Sequence, residues 1–262
     1  MFLVPGLVSA AVGAAAGAFV PRLIARVPEP APEPVEEHVV EDMRAAPDEA
    51  DFARPLDEPK EPYVEVAALP GLWWKAALAT AVLLGGVGAR IGWHPVLLVF
   101  VYLVPVCVAL TVIDWRTRLL PTWLIAPSYL VVAALCTLAS LLTGDWHALL
   151  TAGIGWVSTF AVFFLLWFVY PRGMGYGDVR LSGVLGMALG WLGIGPLVIG
   201  MYAGFLVGAL GGYLLALLRV FHRRHFPFGP FMALGAWLGV VFTAQLGAAF
   251  AGVVQGIAGL LS

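Results

Sequence analysis

Long, nearly uninterrupted apolar runs leave this chain few ways to fold. Of its 262 residues, 61% are hydrophobic and only 11% charged, and the mean hydropathy is +0.93. A water-soluble domain of this length has no use for so much apolar surface, so the runs belong in a bilayer. At about 20 residues per crossing, helices are expected near 2–24, 71–90, 94–113, 121–143 and 147–170. The tract 179–219 is too long for one crossing. Gly193-Ile194-Gly195-Pro196 divides it into a short helix near 179–192 and a longer one near 196–219. A last helix is expected from about 230 to 258. The expected fold class is all-α: a polytopic membrane helix bundle with about eight transmembrane helices.

Charge divides the chain further. Thirteen of the sixteen acids fall between Glu29 and Glu65, and the stretch 27–70 carries only three Arg or Lys. That stretch is rich in proline and poor in aromatics, so it cannot bury enough apolar area to offset its ordering entropy. The expected organisation is a first transmembrane helix at 1–26, a disordered acidic loop at 27–70 and a membrane-embedded body at 71–262. Arg22 and Arg26 follow the first apolar run instead of preceding it, which favours a retained anchor over a cleaved signal.

With the acidic loop in the cytoplasm, thirteen of the fourteen basic residues fall on the cytoplasmic side and only Arg90 lies outside. Trp73, Trp74, Trp93, Trp115, Trp123, Trp146 and Trp191 lie near the expected boundaries, as interfacial rings do. His222, Arg223, Arg224 and His225 form a basic knot suited to topology or anionic-lipid contact. No dense basic face remains for nucleic acid, so none is expected as a partner. Cys107 and Cys136 are the only cysteines and lie in apolar runs. With no CxxC and no helical histidine pair, no metal site is expected.

Outside the acidic stretch only Asp114, Asp145 and Asp178 carry carboxylates. A carboxylate at mid-bilayer costs about 2.5–3.5 kcal/mol on insertion scales, so those retained near a membrane need a reason. Asp114 ends the third helix in IDWRTRLLP, where Pro121 then opens the next. Asp178 follows Gly175 and Gly177, glycines that permit positive φ and leave room for an approaching peptide. Each residue alone has a plain structural use: Asp114 pairing with Arg116 or Arg118, and Asp178 capping a helix. Together, at the same edge of the membrane body, they form a candidate catalytic pair. Two facing carboxyls in a partly dry site tend to share a proton. One then takes a proton from water while the other polarises a peptide carbonyl, which is aspartic-protease chemistry.

Two other features fit close packing. Gly200, Gly204, Gly208 and Gly212 repeat every four residues, as helices in intimate contact require. Pro227-Phe228-Gly229-Pro230 holds two prolines within four residues and predicts a rigid turn into the last helix.

At these residues the chain resembles the type IV prepilin peptidases, the GxGD aspartic proteases of bacterial membranes. The blocks that carry the likeness are IDWRTRLLPTW, GMGYGDVRLSGVLG and PFGPFMALGAW, with the two Asp 64 positions apart. The resemblance implies a multi-pass enzyme of the bacterial inner membrane that removes the short basic leader of type IV prepilin or pseudopilin precursors. It implies a cut after glycine, at the cytoplasmic face. Asp114 and Asp178 would be the catalytic pair, with Gly175, Gly177, Arg180, Pro227, Phe228, Gly229 and Pro230 shaping the site or touching substrate. No cofactor would be required for cleavage. Two departures stand out: Arg180 replaces the family's usual lysine, and the 27–70 loop lacks the cysteine tetrad of members that also methylate with S-adenosylmethionine. The second weighs against methyl transfer. The alternative from another class is an ion- or proton-coupled transporter using the same Asp pair.

Overall fold

The computed structural model describes residues 2–29, 61–171, 174–217, 227–243 and 245. The body of the acidic loop (30–60), the basic knot at 222–225 and the end of the last expected helix lie outside the described residues. Among the described residues ten helices follow one another: α1 Leu3–Ala18, α2 Val20–Ala25, α3 Tyr63–Ala67, α4 Leu72–Ile91, α5 Leu97–Thr117, α6 Thr122–Thr143, α7 Trp146–Val169, α8 Tyr176–Leu192 and α9 Ile194–Leu217, then α10 Gly229–Thr243. No strand occurs among the described residues. Among the described residues six helical stretches are long and apolar enough to cross a membrane: Leu3–Ala25 and α4, α5, α6, α7 and α9. Of the other two expected crossings, α8 is shorter, with 17 residues, and α10 is described only over Gly229–Thr243.

The helices end where local chemistry ends them. Gly92, Gly144 and Gly193 close α4, α6 and α8 with positive φ, a region without steric penalty only for glycine. The expected division of 179–219 therefore falls at Gly193 alone. Pro196 sits inside the first turn of α9, where a missing N–H costs nothing. Arg118, in the left-handed region, ends α5 and donates its N–H to the Asp114 carbonyl at 2.9 Å. Asp145, the carboxylate far from the other two, caps α7 by accepting the Ala148 N–H at 2.9 Å.

Without a hydrophobic drive between helices in lipid, contact depends on close backbone approach. The tightest pairs are α1 with α4 and α7 with α8. A Cβ on Gly13 would lie 2.6 Å from the Thr80 carbonyl oxygen, and one on Gly190 2.5 Å from that of Thr151. Gly200 and Gly204 of the four-residue repeat pack on Gly235 and Gly239 of α10, while Gly208 makes room for the Phe228 ring. Helix α8 is buried on every side, from Asp178 to Trp191, which marks it as the centre of the bundle. Large apolar side chains such as Leu130, Leu150, Leu165 and Leu206 point outward, as lipid-facing positions do.

Two expectations change here. The ends of the 27–70 stretch are ordered: Val27, Tyr63 and Val66 are buried, and α3 packs on α2 and α5. Trp191 does not join the exposed interfacial tryptophans. It turns inward and donates its indole N–H to Ser140 Oγ at 2.9 Å.

Candidate functional site

Three helix ends converge. The last turn of α5 supplies Asp114, the first turn of α8 supplies Asp178, and the start of α10 supplies Gly229. Both carboxylates are buried, at 4% and 7% exposure, and they lie within electrostatic reach of each other. Asp114 Oδ2 accepts the Gly229 N–H at 3.1 Å. Asp178 Oδ2 accepts the Gly175 N–H at 3.2 Å, while its Oδ1 is buried without a hydrogen-bond partner. Each carboxyl thus satisfies an N–H that a helix start leaves unpaired.

The plain structural uses fare differently. Asp178 is the third residue of α8 and reaches back to its N-cap, Gly175. Glycine has no side chain, so only this half of a capping box is made. Arg116 does not serve Asp114. Its guanidinium forks onto Glu61, at 2.8 and 2.7 Å.

The glycines act otherwise than expected. Gly175 is extended at φ −73°, and Gly177 is not among the positive-φ residues. Gly177 is required instead by Leu120, whose Cβ would lie 2.6 Å from a Cβ at that position. A Cβ on Gly229 would meet Asp114 Oδ2 at 2.9 Å and Leu120 Cδ2 at 3.3 Å. Leu120 is therefore wedged between the two glycine backbones, a role that no motif announced. Phe228 anchors the turn before α10 by packing its ring on Phe163 and Phe205, and its carbonyl accepts the Phe231 and Met232 N–H groups.

Arg180 fastens the first turns of α8 to α6. It donates to Thr122 Oγ1 and lies 5.0 Å over the Tyr176 ring. Tyr129, another residue no motif announced, donates its hydroxyl to the Arg180 carbonyl at 2.6 Å. Among the described residues no group of three His, Cys, Asp or Glu is placed to hold a metal ion. Two buried carboxyls in mutual reach, one with an open oxygen, can divide acid and base roles between them.

Residues 101–218, which hold both Asp114 and Asp178, match the model of the type IV leader peptidase family. Over this stretch the chain is similar to that family. The chain is 33% identical over 173 residues to a prepilin leader peptidase/N-methyltransferase of Neisseria gonorrhoeae, covering 64% of this chain and 56% of the relative. It is 38% identical over 143 residues to the like-named protein of Aeromonas salmonicida (52% and 46%), and 33% identical over 171 residues to that of Pseudomonas aeruginosa (64% and 58%). The chain spans about half the length of the curated relatives it matches. No solved structure matches it. The match to the type IV leader peptidase family runs from within α5 to the end of α9, and α10 supplies the N–H that holds Asp114.

Proposed function

We propose that the protein is a membrane aspartic endopeptidase that removes the basic leader of type IV prepilin or pseudopilin precursors. The observation that carries this is the Asp114–Asp178 pair. Two buried carboxylates, each held by one helix-start N–H, stand in mutual reach inside the stretch that matches the leader peptidases. In this reading one carboxylate takes a proton from the attacking water and the other, protonated, polarises the scissile carbonyl. The open Oδ1 of Asp178 is suited to the water or the substrate. Gly175, Gly177 and Gly229 keep the backbones close, and Arg180, Pro227, Phe228 and Pro230 hold the surrounding turns. No cofactor is needed for these steps.

The distribution of basic residues supports a bacterial inner-membrane setting with this end of the bundle in the cytoplasm. A leader carrying positive charge would stay on that side while its apolar helix remains in the membrane. Asp114 lies three residues from the end of α5 and Asp178 is third in α8. Cation sites of coupled transporters lie near the midplane, so this placement favours the peptidase over the transporter. The proposal covers cleavage and not methyl transfer, because the 27–70 loop contains no cysteine.

Co-expression with a pilin-like precursor from the same genome tests the reading. Mass spectrometry should find a product shortened to the residue after a glycine. An intact precursor in the presence of inserted protein would contradict it.

A further inference from the structure

A groove of about 730 Å³ runs between α4, α5 and α10. Its walls include Ala79 and Leu83 of α4, Val104 and Val108 of α5, and Ala233 and Val240 of α10. On α5 the lining recurs at three- and four-residue steps from Phe100 to Trp115, about 22 Å at 1.5 Å per residue. The groove is apolar along its length, with Lys75, Thr111 and Arg116 at one end only.

That end adjoins the site, although neither Asp114 nor Asp178 lines the groove. Thr111, Val112, Trp115 and Arg116 line it on α5, and Trp115 directly follows Asp114 in the last turn of that helix. On the opposite wall the lining begins at Pro230, the neighbour of the Gly229 that holds Asp114. The groove therefore runs along the bundle and ends beside Asp114.

Resting on the peptidase reading, we propose that this groove seats the apolar helix of the precursor, lying along α5 and starting at the bond to be cut. Three features favour a helix. The length accommodates about 15 helical residues. The walls include the small residues Ala76, Ala79, Ala233 and Ala236, which let a helix backbone approach closely in lipid. The groove ends at Trp115, next to Asp114, and at Pro230, next to the Gly229 that holds it. Recognition would be of the helix-in-groove kind, with the apolar helix giving affinity and the Asp pair giving the position of the cut.

Photo-crosslinking in membranes tests this. The full chain carrying Asp178→Asn would bear a benzophenone side chain at Leu83, at Val104 or, outside the groove, at Leu130, and would be mixed with intact precursor. The groove positions should capture the precursor's apolar helix and Leu130 should not. Capture of lipid alone at Leu83 and Val104, or equal capture of precursor at Leu130, would overturn the proposal. In the active chain, Ala233→Phe should raise KM for the precursor about tenfold while changing kcat much less, a loss of about 1.4 kcal/mol in binding. An unchanged KM would overturn it. A wild-type chain that cuts no precursor overturns the peptidase reading itself, and the occupant with it. A chain that cuts precursor but fails the crosslinking loses the occupant alone.

Discussion

Gly229 donates its backbone N–H to Asp114 Oδ2 across 3.1 Å, joining residues 115 positions apart. The bond ties the first turn of α10 to the last turn of α5. The matching bond from Gly175 to Asp178 fixes the other carboxyl to the start of α8. Both side chains are oriented before any substrate arrives, which is where positioning contributes most to a rate.

Gly229→Ala should damage catalysis more than folding. The added Cβ would stand 2.9 Å from Asp114 Oδ2 and 3.3 Å from Leu120 Cδ2, so the carboxylate must shift. A displacement of this size costs on the order of 10- to 100-fold in rate. The fall should lie mainly in kcat, measured on membranes with equal amounts of inserted protein. A wild-type kcat would show that the Gly229 contact does not position Asp114.

Gly177→Ala should behave as overpacking. Its Cβ would meet Leu120 Cβ at 2.6 Å, with an expected loss of about 1–3 kcal/mol. Leu120→Ala in the same chain should restore part of it. Thermal melts of the two single variants and the double variant measure the coupling, and purely additive losses would exclude the wedge.

Much of this arrangement was legible in the sequence, for identifiable reasons. The helices follow from apolar runs, the α8–α9 break from Gly193, and the Asp pair from the scarcity of other carboxylates in the membrane body. Leu120 and Tyr129 were not legible, because each acts on a helix far along the chain and neither residue type is unusual in an apolar run. The glycines beside Asp178 were recognised, but for the wrong physical reason. Gly175 keeps an ordinary φ, and Gly177 is small because Leu120 packs against it. Trp191 was misplaced because position along a helix does not reveal which way a ring turns. Only packing against Ser140 settled it.

Asp145 is a structural carboxylate, set apart from the proposed catalytic pair. It caps α7 through the Ala148 N–H at 2.9 Å. Asp145→Ala should cost about 1 kcal/mol of stability and leave cleavage at the wild-type rate. A kinetic defect in a fully inserted Asp145→Ala protein would give this residue a part in the reaction.

The fork between Arg116 and Glu61 should matter little for stability. Both side chains are partly exposed, at 40% and 42%, and such pairs contribute about 0–1 kcal/mol that fades with salt. Glu61→Gln should therefore lower the melting temperature slightly at low ionic strength and not at high. A large, salt-independent drop would mean that Glu61 holds the end of the acidic stretch through more than charge.

The most direct test replaces each central carboxylate in turn. Asp114→Asn and Asp178→Asn keep the size of the side chain and remove its acid. Each variant should insert and melt like a folded bundle while leader removal, followed by mass spectrometry of a co-expressed precursor, falls to background. Appreciable cleavage by either folded variant would take that aspartate out of the chemistry and contradict the paired-carboxylate mechanism.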